Sequence, residues 1–202
     1  MKKLKAVALS IPVIVILCGC HHDTHDAESP SSPSSQQPSI SVSVESAPEQ
    51  DPAGRPPVGF DPCFRIGDAP VSRAGFDPST RERSDQLHTG YAFIGCTFER
   101  KEQVRGTMHR VGSLTISSTD ITLDQFRERE RREGTVATEI NVNGREAILY
   151  KRPEGEACFV VMKGPDAAID LQIDSSAALT QWSACDHAQE IAAIIEPELL
   201  GH

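Results

Sequence analysis

The 202-residue sequence lacks several features that would assign it to a common class of protein. Its longest hydrophobic run, 6–17, is interrupted by Ser10 and Pro12 and is shorter than the roughly 20 apolar residues of a membrane-spanning helix. Lys and Arg total 20 against 29 Asp and Glu, so the net charge of -9 argues against a basic nucleic-acid-binding domain. The remaining composition, 38% hydrophobic and 24% charged, leaves room for one full-size globular domain.

Familiar catalytic signatures are also missing. The sequence has no G-x-S-x-G, S-x-x-K or H-E-x-x-H motif and no Walker loop. His88, His109 and His187 each stand in a polar context, and a Ser-His-Asp site assembled from them is only an alternative. The sequence therefore predicts no catalytic residue, no metal-binding residue and no cofactor.

The first residues have the pattern of an export signal. Three lysines precede the apolar run 6–17, and polar sequence follows directly after it. The end of the run, Leu17-Cys18-Gly19-Cys20, resembles a bacterial lipobox, so 1–19 is predicted to be a lipoprotein signal peptide and Cys20 the lipidated residue. Cys18 competes for that role, but Leu17 then occupies a position that requires a small residue.

Lipidation predicts both the attachment and the location of the protein. A single acyl chain anchors only weakly, whereas the diacylglyceryl and N-acyl groups of such lipoproteins make a stable tether. We therefore expect an exported protein on the outer face of the cell membrane, with the membrane as its partner through Cys20 and no nucleic-acid partner. Loss of the three signal lysines leaves 17 basic against 29 acidic residues. The mature charge of -12 does not favour adsorption to an anionic membrane, so the lipid holds the protein there.

The segment 20–58 is rich in proline and serine and is predicted to be a disordered linker. Two features inside it leave alternatives open. Ile40, Val42 and Val44 alternate with serines, as in an edge strand, although coil is the more usual structure in proline-rich sequence. A second feature is a cluster after Cys20 that has the ligand types of a divalent metal site but no fixed geometry: His21, His22, Asp23, His25 and Asp26.

The segment 59–202 is predicted to be an α+β domain with a mainly antiparallel sheet of about five to six strands and two to three helices. The strongest local signals are a capping box at Thr122 and Gln125, a helix stop at Gly134, and an Asn143-Gly144 hairpin turn. The first predicted helix begins near Asp61 and ends by about 75, and two further helices span 122–133 and 185–196. The predicted strands are 91–98, 111–117, 136–142, 145–150, 158–162 and 168–173.

Four of the six cysteines fall in this domain, and four cysteines allow three disulfide pairings. Zinc is the rival explanation, but no C-x-x-C spacing occurs and an exported protein favours disulfides. The pairing in which each disulfide joins two cysteines that are near each other in sequence is Cys63 with Cys96 and Cys158 with Cys185.

Two further features have a structural and a functional interpretation. The run 127–133 alternates arginine and glutamate and fits an exposed helix face with pairs Glu128–Arg132 and Arg129–Glu133, although four arginines also fit an anion site. Trp182, the only tryptophan, is expected to be buried beside Cys185, with an exposed binding contact as the alternative.

Taken in order, these motifs resemble a known family. The lipobox and Ser/Pro stalk are followed by Asp61-Pro62-Cys63, by 95–98 (GCTF), by 158–161 (CFVV) and by a terminal Cys185 before an Ala/Ile helix. This order is similar to that of the actinobacterial lipoproteins grouped as domain of unknown function 3558, over about 60–200. The resemblance implies an envelope lipoprotein and supplies no activity.

Three functions remain compatible with the sequence. The first is a non-enzymatic, lipid-tethered binding or interaction module whose ligand is an envelope protein, glycan or lipid. The second is a carrier that holds apolar envelope lipids in an internal cavity, and the third is an envelope hydrolase. A continuous apolar cavity favours the carrier, a polar cleft with His88 or His109 beside a carboxylate favours the hydrolase, and a filled core with an exposed patch favours the module.

Overall fold

The structure, a computed structural model, describes residues 38–50, 55–152 and 155–199. The α+β class with a mainly antiparallel sheet is confirmed, but the predicted element counts were too low, because the described residues form eight strands and four α-helices. In chain order these are α1 Pro62–Arg65, α2 Asp68–Arg73, β1 Asp77–Arg83, β2 Gln86–His88, β3 Tyr91–Val104, β4 Thr107–Thr119, α3 Leu123–Glu133, β5 Thr138–Val142, β6 Arg145–Lys151, β7 Cys158–Lys163, β8 Ala168–Ser175 and α4 Ala184–Ile195, followed by a 3-10 helix, Glu196–Leu199.

One sheet contains all eight described strands, in the order β1-β3-β4-β8-β7-β6-β5, with β2 pairing on β3 beside β1. Every pairing is antiparallel. The two long strands of the β3–β4 hairpin meet the later strands through the β4–β8 pairing, in which Leu114 lies opposite Ile173. This pairing places residues more than fifty positions apart in sequence side by side at the centre of the sheet.

The strongest local signals of the sequence form the structures that they predict. Thr122 and Gln125 make the reciprocal capping box at the start of α3, and Gly134 ends that helix with a φ of 76°, in the left-handed region. Asn143 and Gly144, with φ values of 52° and 95°, form the turn between β5 and β6. Positive φ at both turn positions matches the right-handed twist of the flanking strands.

Several elements differ from the prediction. The first helix is two short helices, because the chain is extended at Ile66 and Gly67 between α1 and α2. The strands β1 and β2 were not predicted, since the first is polar and charged and the second has three residues. The β3–β4 hairpin is longer than expected and turns at Arg105 and Gly106, both at positive φ.

The main hydrophobic core lies on the face of the sheet that α1, α2 and α4 cover. Side chains that alternate along the central strands point into it and are fully buried, as the period of two in a strand requires. Helix α4 contributes a stripe of small and branched residues, which allows a close approach to β7 and β8. The central members of this core are Phe98, Leu114, Ile116, Val160, Met162, Leu171, Ile173, Ala188, Ile191 and Ile195.

The opposite face of the sheet is only partly covered. Helix α3 packs there on β6 and β7, with Phe126 beside Ile148 and Val161 in a second, smaller cluster. Within the described ranges no other helix packs on this face. The side chains of β3, β4 and β8 that point to this side therefore line an open surface next to α3.

The described parts of the predicted linker, 38–50 and 55–58, contact the domain, the second through a hydrogen bond from Arg55 to the carbonyl of Asp120. Neither part has a strand, so the alternation of Ile40, Val42 and Val44 is coil. Ser39 accepts a hydrogen bond from the backbone of Asp68, Ser41 donates to the Asp68 carboxylate over 2.7 Å, and Val44 packs against the main core.

Much of the predicted targeting region lies outside the described residues. The signal peptide 1–19, the lipidation residue Cys20 and the candidate metal ligands His21, His22, Asp23, His25 and Asp26 all fall there. In the part of the chain that the structure does describe, no helix is both long and apolar enough to cross a membrane, and no cluster of three or more His, Cys, Asp or Glu residues has the arrangement of a metal site.

Candidate functional site

Both disulfides expected from the sequence are present. Cys63 in α1 is bonded to Cys96 in β3, and Cys158 in β7 is bonded to Cys185 in α4, with Cα–Cα distances of 5.0 and 5.1 Å. Each bond joins a helix to the sheet on the main-core side. The disulfides therefore attach α1 and α4 to the sheet, and the cysteines do not line the open face.

The open face contains a cleft of about 370 Å³. Its floor is the sheet between β3 and β8, one wall is the β2–β3 edge, and the other is formed by α3 and the end of β6. This volume is within the range of roughly 300 to 1,000 Å³ of small-molecule sites. The residues that line it are Gln86, His88, Tyr91, Phe93, Thr115, Ser117, Arg129, Arg152, Phe159, Asp170 and Gln172.

Two rows of side chains that run across the strands make the floor. In the first row Ser117 on β4 lies opposite Asp170 on β8, and in the second Thr115 lies opposite Gln172, which lies opposite Phe159 on β7. These positions alternate with the core residues of the same strands, so the sheet presents short polar groups on this side and aliphatic groups on the other.

Gly95 keeps the β3 end of the first row open. It lies opposite Ser117, and a Cβ at this position would come within 2.8 Å of the Ser117 hydroxyl oxygen and would also meet the carbonyl of Ser84. A side chain here would force the edge segment of Ser84 away from β3. Glycine therefore allows the edge to close against the sheet while the Ser117 hydroxyl remains unobstructed.

Aromatic rings stand on the β2–β3 wall and at the end of the second row. His88 and Tyr91 are stacked with their centroids 4.5 Å apart, and Phe93 is edge-on to Tyr91 at 6.1 Å. On the far side Phe159 is stacked on Tyr150 at 5.0 Å. The cleft thus has an accessible ring surface on the β2–β3 wall, whereas the Phe159 ring is buried between Tyr150 and the Arg152 guanidinium.

A charged group at the α3 wall is the most unusual feature of the site. The Glu130 side chain is fully buried, and its Oε1 accepts hydrogen bonds from Arg129 Nε at 2.9 Å and Arg152 Nη2 at 3.0 Å. Burial raises the pKa of Glu130, but the hydrogen bonds from Arg152 and Arg129 outweigh it and hold the pKa below the ordinary value. Glu130 therefore positions both guanidinium groups at the cleft.

Asp170 is the second unusual group. Burial raises the pKa of its carboxyl to about 6, an effect opposed by Arg129 and Arg152 and assisted by Glu130. Its Oδ1 is buried and accepts no hydrogen bond from any described residue, and the buried Nε of Arg152 likewise has no acceptor there. Burial also raises the pKa of Tyr150, whose hydroxyl lies 3.4 Å from Arg129 Nη2. An acceptor and a donor on two cleft-lining residues thus remain unsatisfied; Oε2 of Glu130 is also buried without a partner among the described residues, but Glu130 does not line the cleft.

The charged run 127–133 differs from its prediction at this point. Glu128 pairs with Arg132 at 3.8 Å as expected, but Arg129 pairs with Glu130 and not with Glu133. The expectation of a wholly exposed face was wrong because Glu130 points inward, while Arg127 crosses to Glu139 and Glu146 on β5 and β6. One feature of the sequence could have indicated that Glu130 is buried: it lies on the same side of the helix as Leu123 and Phe126.

The three histidines lie in different places. His88 lines the cleft, whereas His109 is exposed near the tip of the β3–β4 hairpin. His187 is stacked on Trp182, with centroids 5.5 Å apart, in a smaller cleft of about 260 Å³. Trp182 is half-buried there, between Phe76, His187 and Arg100, whose guanidinium is 4.7 Å from its ring.

The smaller cleft has fewer free polar groups than the one on the open face. Arg100 binds Glu102 at 2.8 Å, and His187 lies 3.4 Å from Glu190. Because these groups already have partners, we take the cleft on the open face, named the sheet cleft below, as the candidate functional site.

Comparison with protein families gives one match. A family model described as "Protein of unknown function (DUF3558)" matches residues 15–198. The chain belongs to this family. Comparison with curated proteins and with solved structures gives no significant match. Family membership therefore supplies no activity.

Proposed function

We propose that the protein is an exported lipoprotein, anchored by lipid on Cys20 to the outer face of the cell membrane, whose domain is a non-enzymatic module that binds a small envelope ligand in the sheet cleft. The lipobox-like segment and the Ser/Pro-rich stalk support the anchor. Two disulfides support an oxidising compartment.

One observation carries the binding role. The buried Oδ1 of Asp170 and the buried Nε of Arg152 have no hydrogen-bond partner among the described residues, and both residues line the same cleft. A buried polar atom without a partner costs roughly 1 to 3 kcal/mol, so a group that satisfies both atoms gains affinity from them. The unsatisfied atoms therefore destabilise the free protein, and a ligand that bonds to both of them removes this destabilisation.

The carrier of apolar lipids has less support. The space between the sheet and helices α1, α2 and α4 is filled, and Leu114, Ile116 and Leu171 are each 0% exposed. The cleft that exists instead has a polar floor and charged groups on one wall. A lipid tail would have to bury Asp170 and Arg152 without giving them partners.

The test of this proposal is native mass spectrometry of the full lipoprotein purified from its own cell envelope. Wild-type protein should retain a polar small molecule, and the same preparation of Tyr91→Ala/Asp170→Ala should lose it. Phe64→Ala, which removes an exposed ring outside the cleft, is the matched control and should retain it. A retained apolar lipid, or equal retention by wild type and the double variant, would contradict the proposal.

A hydrolase is the second candidate, because Ser117, His88 and Asp170 line the same cleft. Among the described hydrogen bonds none joins His88 to either of the other two, although a nucleophile and its base need such contact. Turnover of a nitrophenyl ester that is abolished by Ser117→Ala and by His88→Ala would favour the hydrolase. Turnover that neither variant changes would count against it.

A further inference from the structure

The sheet cleft carries an inference about the class of its ligand, which rests on the binding role proposed above. We infer that the ligand is a neutral saccharide, bound with its ring face on Tyr91 and its hydroxyl groups on Asp170 and Arg152.

The two unsatisfied atoms point to hydroxyl groups. Asp170 Oδ1 is an acceptor that needs a donor, and Arg152 Nε is a donor that needs an acceptor. A hydroxyl group both donates and accepts, so neighbouring hydroxyls of one ligand satisfy both atoms. A carboxylate or a fully ionised phosphate only accepts and leaves Asp170 without a donor, while an ammonium group only donates and leaves Arg152 without an acceptor.

The charges at the cleft support a ligand without net charge. Arg129 and Arg152 contribute two positive charges, and Glu130, which holds both guanidinium groups, contributes one negative charge. Asp170 supplies the second negative charge when it is ionised. With Asp170 ionised these four groups cancel, so the cleft has no excess charge to attract an anion or a cation. His88, also on the lining, is stacked on Tyr91 at the exposed wall.

The shape and chemistry of the walls match a sugar ring. A pyranose or furanose has C–H groups on its faces and hydroxyl groups around its edge. The faces of aromatic rings carry partial negative charge and attract polarised C–H hydrogens, and Tyr91 offers such a face at a half-exposed position. Ser117 on the floor adds a hydroxyl group, whereas Thr115 and Gln172 beside it already hydrogen-bond to Thr97 and Asp174. A volume of about 370 Å³ suits a mono- or disaccharide unit.

The test is saturation-transfer NMR on the full lipoprotein in a zwitterionic detergent, which avoids competition from a sugar headgroup. The probes are neutral sugars (galactose, mannose, glucose, arabinose and their disaccharides) and charged counterparts (glucuronate, glucosamine and glucose 6-phosphate). We expect transfer to the ring C–H protons of at least one neutral sugar, at least fivefold weaker transfer to each of the charged sugars, and displacement by envelope glycan fragments.

Variants separate a saccharide site from an ion site. Tyr91→Ala should weaken binding of the neutral sugar at least fivefold, and Phe64→Ala should leave it unchanged. Asp170→Asn keeps an acceptor and should retain most of the binding, whereas Asp170→Ala should lose it; equal loss in both variants would show that binding needs the charge of the carboxylate and would overturn the inferred hydroxyl contact.

The remaining outcomes separate this inference from the binding role itself. Binding of a charged sugar that depends on Tyr91 and Asp170 would overturn the saccharide class but leave the cleft as the binding site. Absence of binding by every neutral sugar and envelope glycan fragment would also overturn the saccharide class. Binding that Tyr91→Ala and Asp170→Ala do not change would overturn both the class and the cleft.

Discussion

Arg152 donates a hydrogen bond from Nη2 to Oε1 of Glu130 across 3.0 Å, and the Glu130 side chain is fully buried. Arg129 binds the same oxygen, so one buried carboxylate holds two guanidinium groups at the edge of the sheet cleft. Removing one member of a buried ion pair leaves an uncompensated charge. The position of both arginines therefore depends on Glu130.

Glu130→Ala should lower the free energy of unfolding by about 3 kcal/mol, because two arginines lose their shared acceptor and a buried space opens beneath α3. Glu133→Ala removes an exposed glutamate from the same helix and should change it by less than about 0.5 kcal/mol. Urea denaturation followed by circular dichroism measures both values. Equal effects of the two substitutions would show that Glu130 is not buried in a charged pair.

Asp170 should make the stability of the protein depend on pH. Its folded pKa of about 6 is above the ordinary value of 3.8, so its ionisation opposes folding. The neutral Asp170 carboxyl favours the folded state relative to the ionised form. This contribution to the free energy of unfolding is fully present below pH 4, decreases between pH 4 and 6, and is lost above pH 6. Asp170→Asn should therefore stabilise the protein at pH 7.5, by on the order of 2 to 3 kcal/mol, and have little effect at pH 3.5.

Thermal unfolding at the two pH values, without added ligand, tests the Asp170 prediction. Asp186→Asn, at an exposed position of α4, is the matched control. A loss of stability at pH 7.5 in Asp170→Asn would mean that the ionised carboxylate has a favourable partner in the free protein.

The two disulfides should each contribute about 3.5 kcal/mol by loop entropy, since they close loops with sequence separations of 33 and 27. Cys158→Ala/Cys185→Ala should lower the midpoint of urea unfolding accordingly and leave the β3–β4 hairpin bonded to α1. Peptide mapping without reductant should recover the peptide that joins Cys63 to Cys96 and the one that joins Cys158 to Cys185. A peptide that joins Cys63 to Cys185 would contradict the pairing.

The proposed lipidation of Cys20 predicts that loss of this residue changes the location of the protein. Cys20→Ala should release the protein from the membrane fraction or leave it with an uncleaved signal segment and no incorporated fatty acid. Cys18→Ala is the matched control, because Cys18 is predicted to be lost with the signal peptide, and it should remain in the membrane with normal lipid labelling. Metabolic labelling with palmitate followed by fractionation distinguishes these outcomes, and lipid incorporation into Cys20→Ala would contradict the assignment.

The features that the sequence predicted best are those that a few neighbouring residues determine. Thr122 and Gln125, three positions apart, form the capping box of one helix, and Asn143 and Gly144 form a turn. Neither signal depends on the rest of the fold. The edge strands β1 and β2 have no such signal, because strand pairing with β3 makes them strands and their own residues are polar.

The sheet cleft could not be predicted in the same way. Asp170 occupies an outward position in an alternating strand, which is the ordinary pattern of a solvated carboxylate. Its burial comes from α3, which brings Arg129 and Glu130 to the sheet, and from Arg152 after β6. Three segments that are distant in sequence create the site, and only their packing shows which polar residues are unsatisfied.

Fluorine NMR of the full-length protein measures directly whether the sheet cleft binds an envelope ligand. Tyr91 and Tyr150 are the only tyrosines; Tyr91 lines this cleft, whereas Tyr150 is buried, with its hydroxyl 3.4 Å from Arg129 Nη2. Trp182 is the only tryptophan and lines the smaller cleft. Protein labelled with fluorotyrosine and fluorotryptophan is titrated with soluble envelope glycan and, separately, with envelope lipid. We predict that glycan shifts the Tyr91 resonance and leaves Trp182 unchanged; a shift of Trp182 alone, or a response only to lipid, would show that the sheet cleft is not a glycan-binding site.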